Sequence, residues 1–460
     1  MLRAFSIIAA AAAALPVAAA PIYFPHERLG VGDPNPYFEY GTYSVFYLQN
    51  KGRHPWYVTR TNDLLTWSPP VEAIPVGEPE DADHWTGSGS VVSDPEGGYR
   101  LFHTGHRPEA QPKEVTMTAI APELTGPWTK APGAAFSGAP IYDTMDFRDP
   151  FVFWNADAER WWMLLTTRHF GAAAIGLYTS RDLAHWSPAQ PLYTEQSPLN
   201  LEVPDLFPEG GDWFLLYSDQ RASVRQVRYL HAADSQGPYE YGLHDALDGS
   251  AYYAGKSAGQ GDDRLLFGRI AHKSHRKDAM DFVWGGDLIV HALRRTADGE
   301  LAVALPAQIA SQFDTAVASP SPSDLSLGDA RHAVRAWAEV APAEGGAFGI
   351  RFQHEGAARS SSIIIDPSTG RAAFRYNEDG TDGPSVSFPI DPDGRFTIDI
   401  VVDPEAGLGI LYINDFRALS FRYYRVGRTQ MSLFAESGFK EVSGVVSKRR
   451  SDLAREGQNG

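Results

Sequence analysis

Tyr43-Ser44-Val45-Phe46-Tyr47-Leu48 is followed by Asn62-Asp63-Leu64-Leu65-Thr66-Trp67, and the same pair returns as Trp161-Trp162-Met163-Leu164-Leu165 and Arg181-Asp182-Leu183-Ala184-His185-Trp186. The first member of each pair is a short aromatic and aliphatic run bounded by Gly or a charged residue, the pattern of a β-strand. It recurs as Tyr99-Arg100-Leu101-Phe102-His103, Trp213-Phe214-Leu215-Leu216-Tyr217 and Arg264-Leu265-Leu266-Phe267-Gly268. A looser closing phrase follows the second and fourth runs, as Glu123-Leu124-Thr125-Gly126-Pro127-Trp128 and Asp234-Ser235-Gln236-Gly237-Pro238-Tyr239. A strand-and-turn repeat of about 50 to 60 residues is the signature of propeller blades stacked around an axis. The chain is therefore expected to be all-β, with a five-bladed β-propeller over residues 21–317.

Working outward from the repeats, residues 318–326 form a Ser/Pro-rich linker. Beyond it come short alternating strands such as Phe348-Gly349-Ile350-Arg351-Phe352 and Phe396-Thr397-Ile398-Asp399-Ile400-Val401, with turns at Asp379-Gly380 and Asp393-Gly394. This pattern predicts a β-sandwich over 327–446, and the polar residues 447–460 are expected to be a disordered tail. At the other end, Arg3, the apolar run Ile7 to Val17 and the alanines after it read as a signal peptide over residues 1–20, with cleavage near Ala19 or Ala20. The run is short for the roughly 20 residues of a membrane span. The expectation is a protein that is secreted or periplasmic, with no membrane span after signal-peptide removal.

The 460 residues carry 57 acidic and 40 basic side chains, a formal charge of −17, and show no basic stripe with interleaved aromatics. Such a surface repels phosphate backbones, so no nucleic-acid partner is expected. With no cysteine in the chain, thiol chemistry is excluded. His84, His103, His106, His169 and His185 lack two-ligand spacing on one element, which predicts no metal site, and Ser88-Gly89-Ser90 is not a nucleophile elbow.

Three repeats carry a carboxylate just ahead of the aromatic run. Asp33 lies ten residues before Tyr43, Asp149 twelve before Trp161 and Glu202 eleven before Trp213, in Gly32-Asp33-Pro34-Asn35-Pro36, Phe147-Arg148-Asp149-Pro150 and Leu201-Glu202-Val203-Pro204-Asp205. If the repeats superpose, the three face one another near the axis. Convergent carboxylates suit glycosidic cleavage, in which one group protonates the leaving oxygen while another attacks or activates water, and crowding raises one pKa as a general acid requires.

The ordered set Asp33-Pro34-Asn35, Tyr43 to Gln49, Trp85-Thr86-Gly87-Ser88, Phe147-Arg148-Asp149-Pro150 and Glu202-Val203-Pro204-Asp205-Leu206 resembles glycoside hydrolase family 32, the invertases, inulinases and levanases. The likeness runs over about residues 25–440 and includes Ile410-Leu411-Tyr412-Ile413-Asn414-Asp415 and Leu433-Phe434-Ala435-Glu436-Ser437-Gly438 of the sandwich. It implies a retaining glycoside hydrolase acting on β-fructofuranosidic linkages of an oligo- or polysaccharide, without a cofactor. Asp33 would be the nucleophile, Asp149 the transition-state stabiliser that also holds sugar hydroxyls, and Glu202 the acid/base, with Arg148 beside them. Asn35, Gln49, Trp56, Trp85 and Ser88 match positions of the family's sugar pocket, and Tyr253 and Trp284 match weaker late motifs. Three departures stand out. Gly32 occupies the place of the usual Asn before the nucleophile, Pro36 that of the Gly after Asn35, and Val203 that of the Cys after the acid/base.

Two other readings fit parts of the pattern. An inverting arabinan- or xylan-cleaving propeller hydrolase would also use two aspartates and a glutamate, but Arg148 and the sandwich argue against it. A non-catalytic carbohydrate-binding protein on the same scaffold is disfavoured because all three carboxylates are present.

Overall fold

In the computed structural model, which describes Ile22, Phe24 and residues 30–456 apart from 139, 222–224, 279, 357–359, 377–381, 392 and 425–427, the chain is built almost wholly of antiparallel strands. Residues 1–20, read from the sequence as a signal peptide, lie outside the described residues. Immediately after it, Phe24 is buried against Tyr47 and Trp67, with ring centroids 5.7 and 5.2 Å away. Among the described residues no helix is long and apolar enough to cross a membrane.

Each aromatic run is the second strand of a meander. Trp85–Ser93, Tyr99–His106, Glu114–Ala121 and Thr129–Lys130 make one sheet. Phe147–Asn155, Arg160–His169, Ala172–Ser180 and Ser187–Pro188 make another, with Tyr193–Glu195 beside the third strand. Leu201–Glu209, Asp212–Asp219, Val227–Ala232 and Glu240–Ala246 make a third. The first unit (Val31–Glu39, Thr42–Gln49, Trp56–Thr61, Val71–Ile74) and the last (Tyr252–Ala258, Leu265–Lys273, Phe282–Arg295, Leu301–Ala304) join as one eight-stranded sheet through the pair Val31 and Gly286. The first strands of the five units touch in a closed cycle: Val31–Glu39 meets Trp85–Ser93, then Phe147–Asn155, Leu201–Glu209 and Tyr252–Ala258, which returns to Val31–Glu39.

The repeated closing phrase has a mechanical role. Asp63 Oδ1 accepts the N–H groups of Leu65 and Thr66 at 2.9 and 2.7 Å, and Asp182 Oδ1 accepts those of Ala184 and His185 at 2.9 and 2.8 Å. The two aspartates thereby close equivalent side-chain turns that hold Leu64 and Leu183 in the left-handed region, where both side chains are buried. Trp67 and Trp128 donate their indole N–H back to the carbonyls of Leu64 and Leu124 at 3.1 and 3.3 Å, closing the phrase at its aromatic end.

The second region consists of two six-stranded sheets. One runs Thr315–Ala318, Phe439–Lys448, Val334–Pro342, Phe396–Asp403, Leu408–Ile413, Arg417–Arg422; the other runs Ser326–Ala330, Thr429–Ala435, Phe348–His354, Ser361–Asp366, Arg371–Arg375, Asp382–Ser387. Ile398, Ile400 and Val402 of the first meet Ile350, Phe352 and Ile363 of the second in one apolar core, while Val401, Ile410 and Tyr412 project the other way into the core shared with the first region. Burial on both faces explains why Leu408–Ile413 is apolar without alternation.

Two boundary expectations need correction. The second region begins at Thr315, within the stretch assigned to the propeller, because Thr315–Ala318 pairs with Phe439–Lys448. The expected disordered tail is ordered as far as it is described: the last strand runs to Lys448 and a helix spans Arg450–Glu456. The charges that suggested solvation satisfy one another, since buried Asp452 pairs with Arg449 Nε at 2.7 Å and with Arg455.

A polar seam fastens the two regions. Arg422, fully buried, donates through Nε to the Ala271 carbonyl at 2.9 Å, through one terminal nitrogen to Ala406 at 3.2 Å, and through the other to Ile270 at 3.0 Å and to Asp287. Asp248 accepts the Ser420 N–H at 2.7 Å and hydroxyl at 2.5 Å, and lies 3.1 Å from His291, whose other ring nitrogen meets Tyr412.

Candidate active site

Every first strand of the closed cycle is interrupted at the same level. Pairing shifts register between Val31 and Pro34, between Gly87 and Gly89, opposite Leu164 to Thr166 in the third unit, between Glu202 and Asp205, and between Tyr253 and Lys256. Such bulges bend a strand and re-aim the side chains beside them. In three of them a non-glycine residue takes the left-handed backbone, Asp149 at φ 60°, Val203 at φ 56° and Ala254 at φ 57°. Each of these costs on the order of 1–2 kcal/mol and is held by its surroundings. The sequence offsets thus correspond to a real structural equivalence, and Asp33, Asp149 and Glu202 all stand at these interruptions.

Arg148 gathers the carboxylates. It donates to Glu202 Oε1 at 2.9 Å, to Asp146 at 2.8 Å and to Glu114 at 3.2 Å, and its Nε lies 3.9 Å from Asp149. Burial acts to lower the pKa of this guanidinium, but Glu202, Glu114 and Asp149 outweigh it and raise the pKa. Glu114 is buried as well, yet His106, Arg148 and the Phe147 N–H bring its carboxyl down to about 2. It is a fixed anion beneath the site, and the sequence reading did not single it out.

Glu202 accepts further bonds from Tyr253 Oη at 2.8 Å and Gln220 Nε2 at 3.3 Å. Asp149 Oδ2 accepts the Thr166 hydroxyl at 2.8 Å and the Val203 N–H at 3.1 Å. Its pKa is pushed up to about 6, first by burial and then by Glu202 and Asp33, with Arg148 and Lys256 opposing. Val203, where the family's usual residue is Cys, therefore serves this carboxylate through its backbone, which any residue supplies. Asp33 pairs with Arg269 Nη1.

The remaining expected residues divide into three groups. Asn35 and Ser88 are buried bracing: Asn35 Oδ1 accepts from Ser88 Oγ at 2.9 Å and from Lys256 Nζ at 2.8 Å, and Asn35 Nδ2 donates to the Asp33 carbonyl at 3.0 Å. Burial lowers Lys256 to about 8 against the pull of Asp149, Asp205 and Asp33. Trp85 and Trp284 are half-buried and joined through His54, which stacks on Trp284 at 3.8 Å and meets the edge of Trp85 at 5.5 Å. Gln49, also partly exposed, holds a buried amide oxygen with no protein partner. Trp56 is the correction: its ring is fully buried and donates to the Gly87 carbonyl at 3.0 Å, so it supports the pocket from the core and offers no face to a sugar.

Arg269, Lys256, His54 and Glu114 were missed. Arg269 and Glu114 come from second and third strands and His54 from a loop, and Lys256, although on the first strand of the fifth unit, precedes no carboxylate phrase of the kind that marked the other units. The fifth aromatic run, quoted from Arg264 to Gly268, stops one residue short of Arg269. Among the described residues no group of three or more His, Asp or Glu side chains is arranged to hold a metal ion.

Residues 27–293 match the family model described as the glycosyl hydrolases family 32 N-terminal domain. The chain is 24% identical over 306 residues to the insoluble β-fructofuranosidase isoenzyme CWINV1 of Arabidopsis thaliana, covering 57% of this chain and 52% of the relative. It is 31% identical over 182 residues to a levanbiose-producing levanase of Bacillus subtilis, covering 37% and 33%. The chain thus spans about half the length, or less, of these curated relatives. In fold it is similar to an exo-inulinase from Aspergillus awamori (TM-score 0.73, 16% identity, 93% of this chain and 97% of the other). It is likewise similar to the β-fructofuranosidase BmSUC1 of Bombyx mori (TM-score 0.71, 20% identity, 94% and 95%).

Proposed function

The chain belongs to glycosyl hydrolase family 32, and from that premise we propose that it is an exported, retaining glycoside hydrolase of β-fructofuranosides or fructans. The observation that carries this reading is the convergence, at equivalent strand interruptions, of Asp33, Asp149 and Glu202, with Arg148 bonded to Glu202 and beside Asp149, and with the charges of both Glu202 and Asp33 felt by Asp149. The relatives named above as levanase and β-fructofuranosidase support the fructoside as substrate. We read the closed cycle of five strand units as a five-bladed propeller and the two six-stranded sheets as a sandwich.

In the proposed mechanism a carboxylate oxygen of Asp33 attacks the anomeric carbon of the fructosyl unit while the carboxyl group of Glu202 protonates the departing glycosidic oxygen. Glu202, now ionised, takes a proton from water, whose oxygen attacks the same carbon and frees Asp33. Arg148 and Tyr253 suit both halves of this cycle, because they fix the Glu202 carboxyl from opposite oxygens. Asp149, held by Thr166 and the Val203 N–H, accepts sugar hydroxyls whose bonds strengthen as positive charge develops on the ring. Carboxylate chemistry of this kind requires no cofactor.

The test is incubation with sucrose, inulin, levan and an arabinan, with the freed sugars identified and the first-formed anomer followed by NMR. Release of fructose or fructo-oligosaccharides with retained configuration is expected. Cleavage of the arabinan alone, or an inverted product, would overturn the reading.

A further inference from the structure

Glycine at position 32, directly before the proposed nucleophile, is required by space. A Cβ built there would lie 2.2 and 2.4 Å from Cη2 and Cζ2 of Trp284 and 2.9 Å from the Leu48 carbonyl oxygen. The indole of Trp284 occupies the volume a side chain at 32 would need, and it is pinned there. His54 stacks on it at 3.8 Å with an interplanar angle of 16°, and its own carbonyl accepts Asn50 Nδ2 at 3.1 Å. A side chain that would ordinarily stand beside the nucleophile is thereby excluded.

The carboxyl group of Asp33 is instead held from the adjoining fifth unit, which shares its sheet. Arg269, 2% exposed, donates through Nη1 to Asp33 Oδ1, and this is the one hydrogen bond made to that carboxyl group among the described residues. The guanidinium is in turn confined between aromatic faces, with its carbon 5.5 Å from the centre of Trp284 and 5.7 Å from that of Tyr253. Its backbone is fixed by pairing with Tyr253 on one side and Leu288 on the other.

We propose that Arg269 is the positioning residue of the nucleophile, set in place by Trp284 and made necessary by the absence of a side chain at position 32. The inference rests on Asp33 being the nucleophile. Arg269 holds one carboxyl oxygen and leaves the other directed by that anchor toward the anomeric carbon. A planar, buried fork fixes orientation in a way that a flexible ammonium does not. Because Arg269 acts through Asp33, it governs the attack step and not the affinity for the sugar.

Two measurements on folded enzyme test this. In steady state, Arg269→Met is expected to lower kcat about 100-fold, the effect of a misplaced reacting group, with Arg269→Lys recovering part of the loss. The inhibition constant of fructose should stay within about twofold of wild type, since sugar binding is not what Arg269 controls. In the second measurement, conduritol B epoxide, a polyhydroxylated epoxide, is used to esterify the nucleophile, and labelling at Asp33 is timed by mass spectrometry. Labelling should slow in Arg269→Met and fall between the two in Arg269→Lys. If Arg269→Met does not fold, the Lys variant alone carries the test, and full-rate labelling in it overturns the proposal. A fructose inhibition constant that rises in step with the loss of kcat would make Arg269 a sugar-binding residue and also overturn it. If wild-type enzyme is labelled elsewhere and Asp33→Asn keeps its turnover, the nucleophile assignment itself falls. If wild type is labelled at Asp33 but Arg269→Met is labelled equally fast, only the role of Arg269 falls.

Discussion

Two regions of this molecule bury charge, and they do so to opposite ends. At the seam between the two halves, every nitrogen of the Arg422 guanidinium meets a carbonyl or carboxylate, and Asp248 is ringed by Ser420, Gly249 and His291. Near the ring of first strands the density of charge is similar, but groups are left unfinished. Among the described residues Asp33 has one side-chain partner and Gln49 a buried oxygen with none, and Asp33 and Glu202 keep 14 and 16% of their side chains exposed. Satisfied networks rigidify; incomplete ones are ready for a ligand. The difference teaches that the seam serves the fold and the ring serves chemistry.

The largest expected break in that contrast is at the ring. Asp33→Asn should reduce turnover by about three orders of magnitude or more, with Glu202→Gln losing about 100- to 10,000-fold, most for poor leaving groups, in initial-rate assays. Neither should lower the denaturation midpoint much. At the seam the pattern reverses: Arg422→Ala takes a buried donor from three carbonyls and from Asp287, which keeps His272 at 3.3 Å, and should cost about 3–5 kcal/mol in urea unfolding, while the folded fraction keeps its specific activity.

Asp149 sharpens the comparison because it belongs to the ring yet has a stability signature. Its folded pKa of about 6 exceeds that of an unfolded aspartate. Between about pH 4 and pH 6 the folded chain therefore holds a proton the unfolded chain has lost, and stability falls as pH rises through that window. Asp149→Asn should gain up to about 3 kcal/mol at pH 7 and nothing below about pH 4, in paired melts, while losing turnover. The smallest effect is expected from Ser420→Ala, about 1 kcal/mol, because Asp248 keeps its two backbone donors and His291.

The same contrast explains what could be read in advance. The five units were legible because each repeats an aromatic strand and a side-chain turn, and repetition survives divergence when every unit meets the same neighbours. Asp33, Asp149 and Glu202 were legible because the repeat turns sequence offset into position. Arg269 and Lys256 were not, since they reach the centre by side-chain length from strands whose register only the fold sets. Trp56 was misplaced because an indole under a sugar pocket and one in it are the same letter. The terminal helix was missed because charged residues that pair with one another look, in sequence, like residues that face water.

The pairing of Val31 with Gly286 has a consequence in time. Asp33 leaves the ribosome early, but Arg269, which holds its carboxyl group, lies 236 residues further along. At about 5–20 residues per second, roughly 10 to 50 s of synthesis separate the two. Throughout that interval the ring is open and the Asp33 carboxyl group is without Arg269. On the proposed function a half-made chain therefore lacks the assembled site, and the order of the polypeptide delays that site until the fifth unit is made.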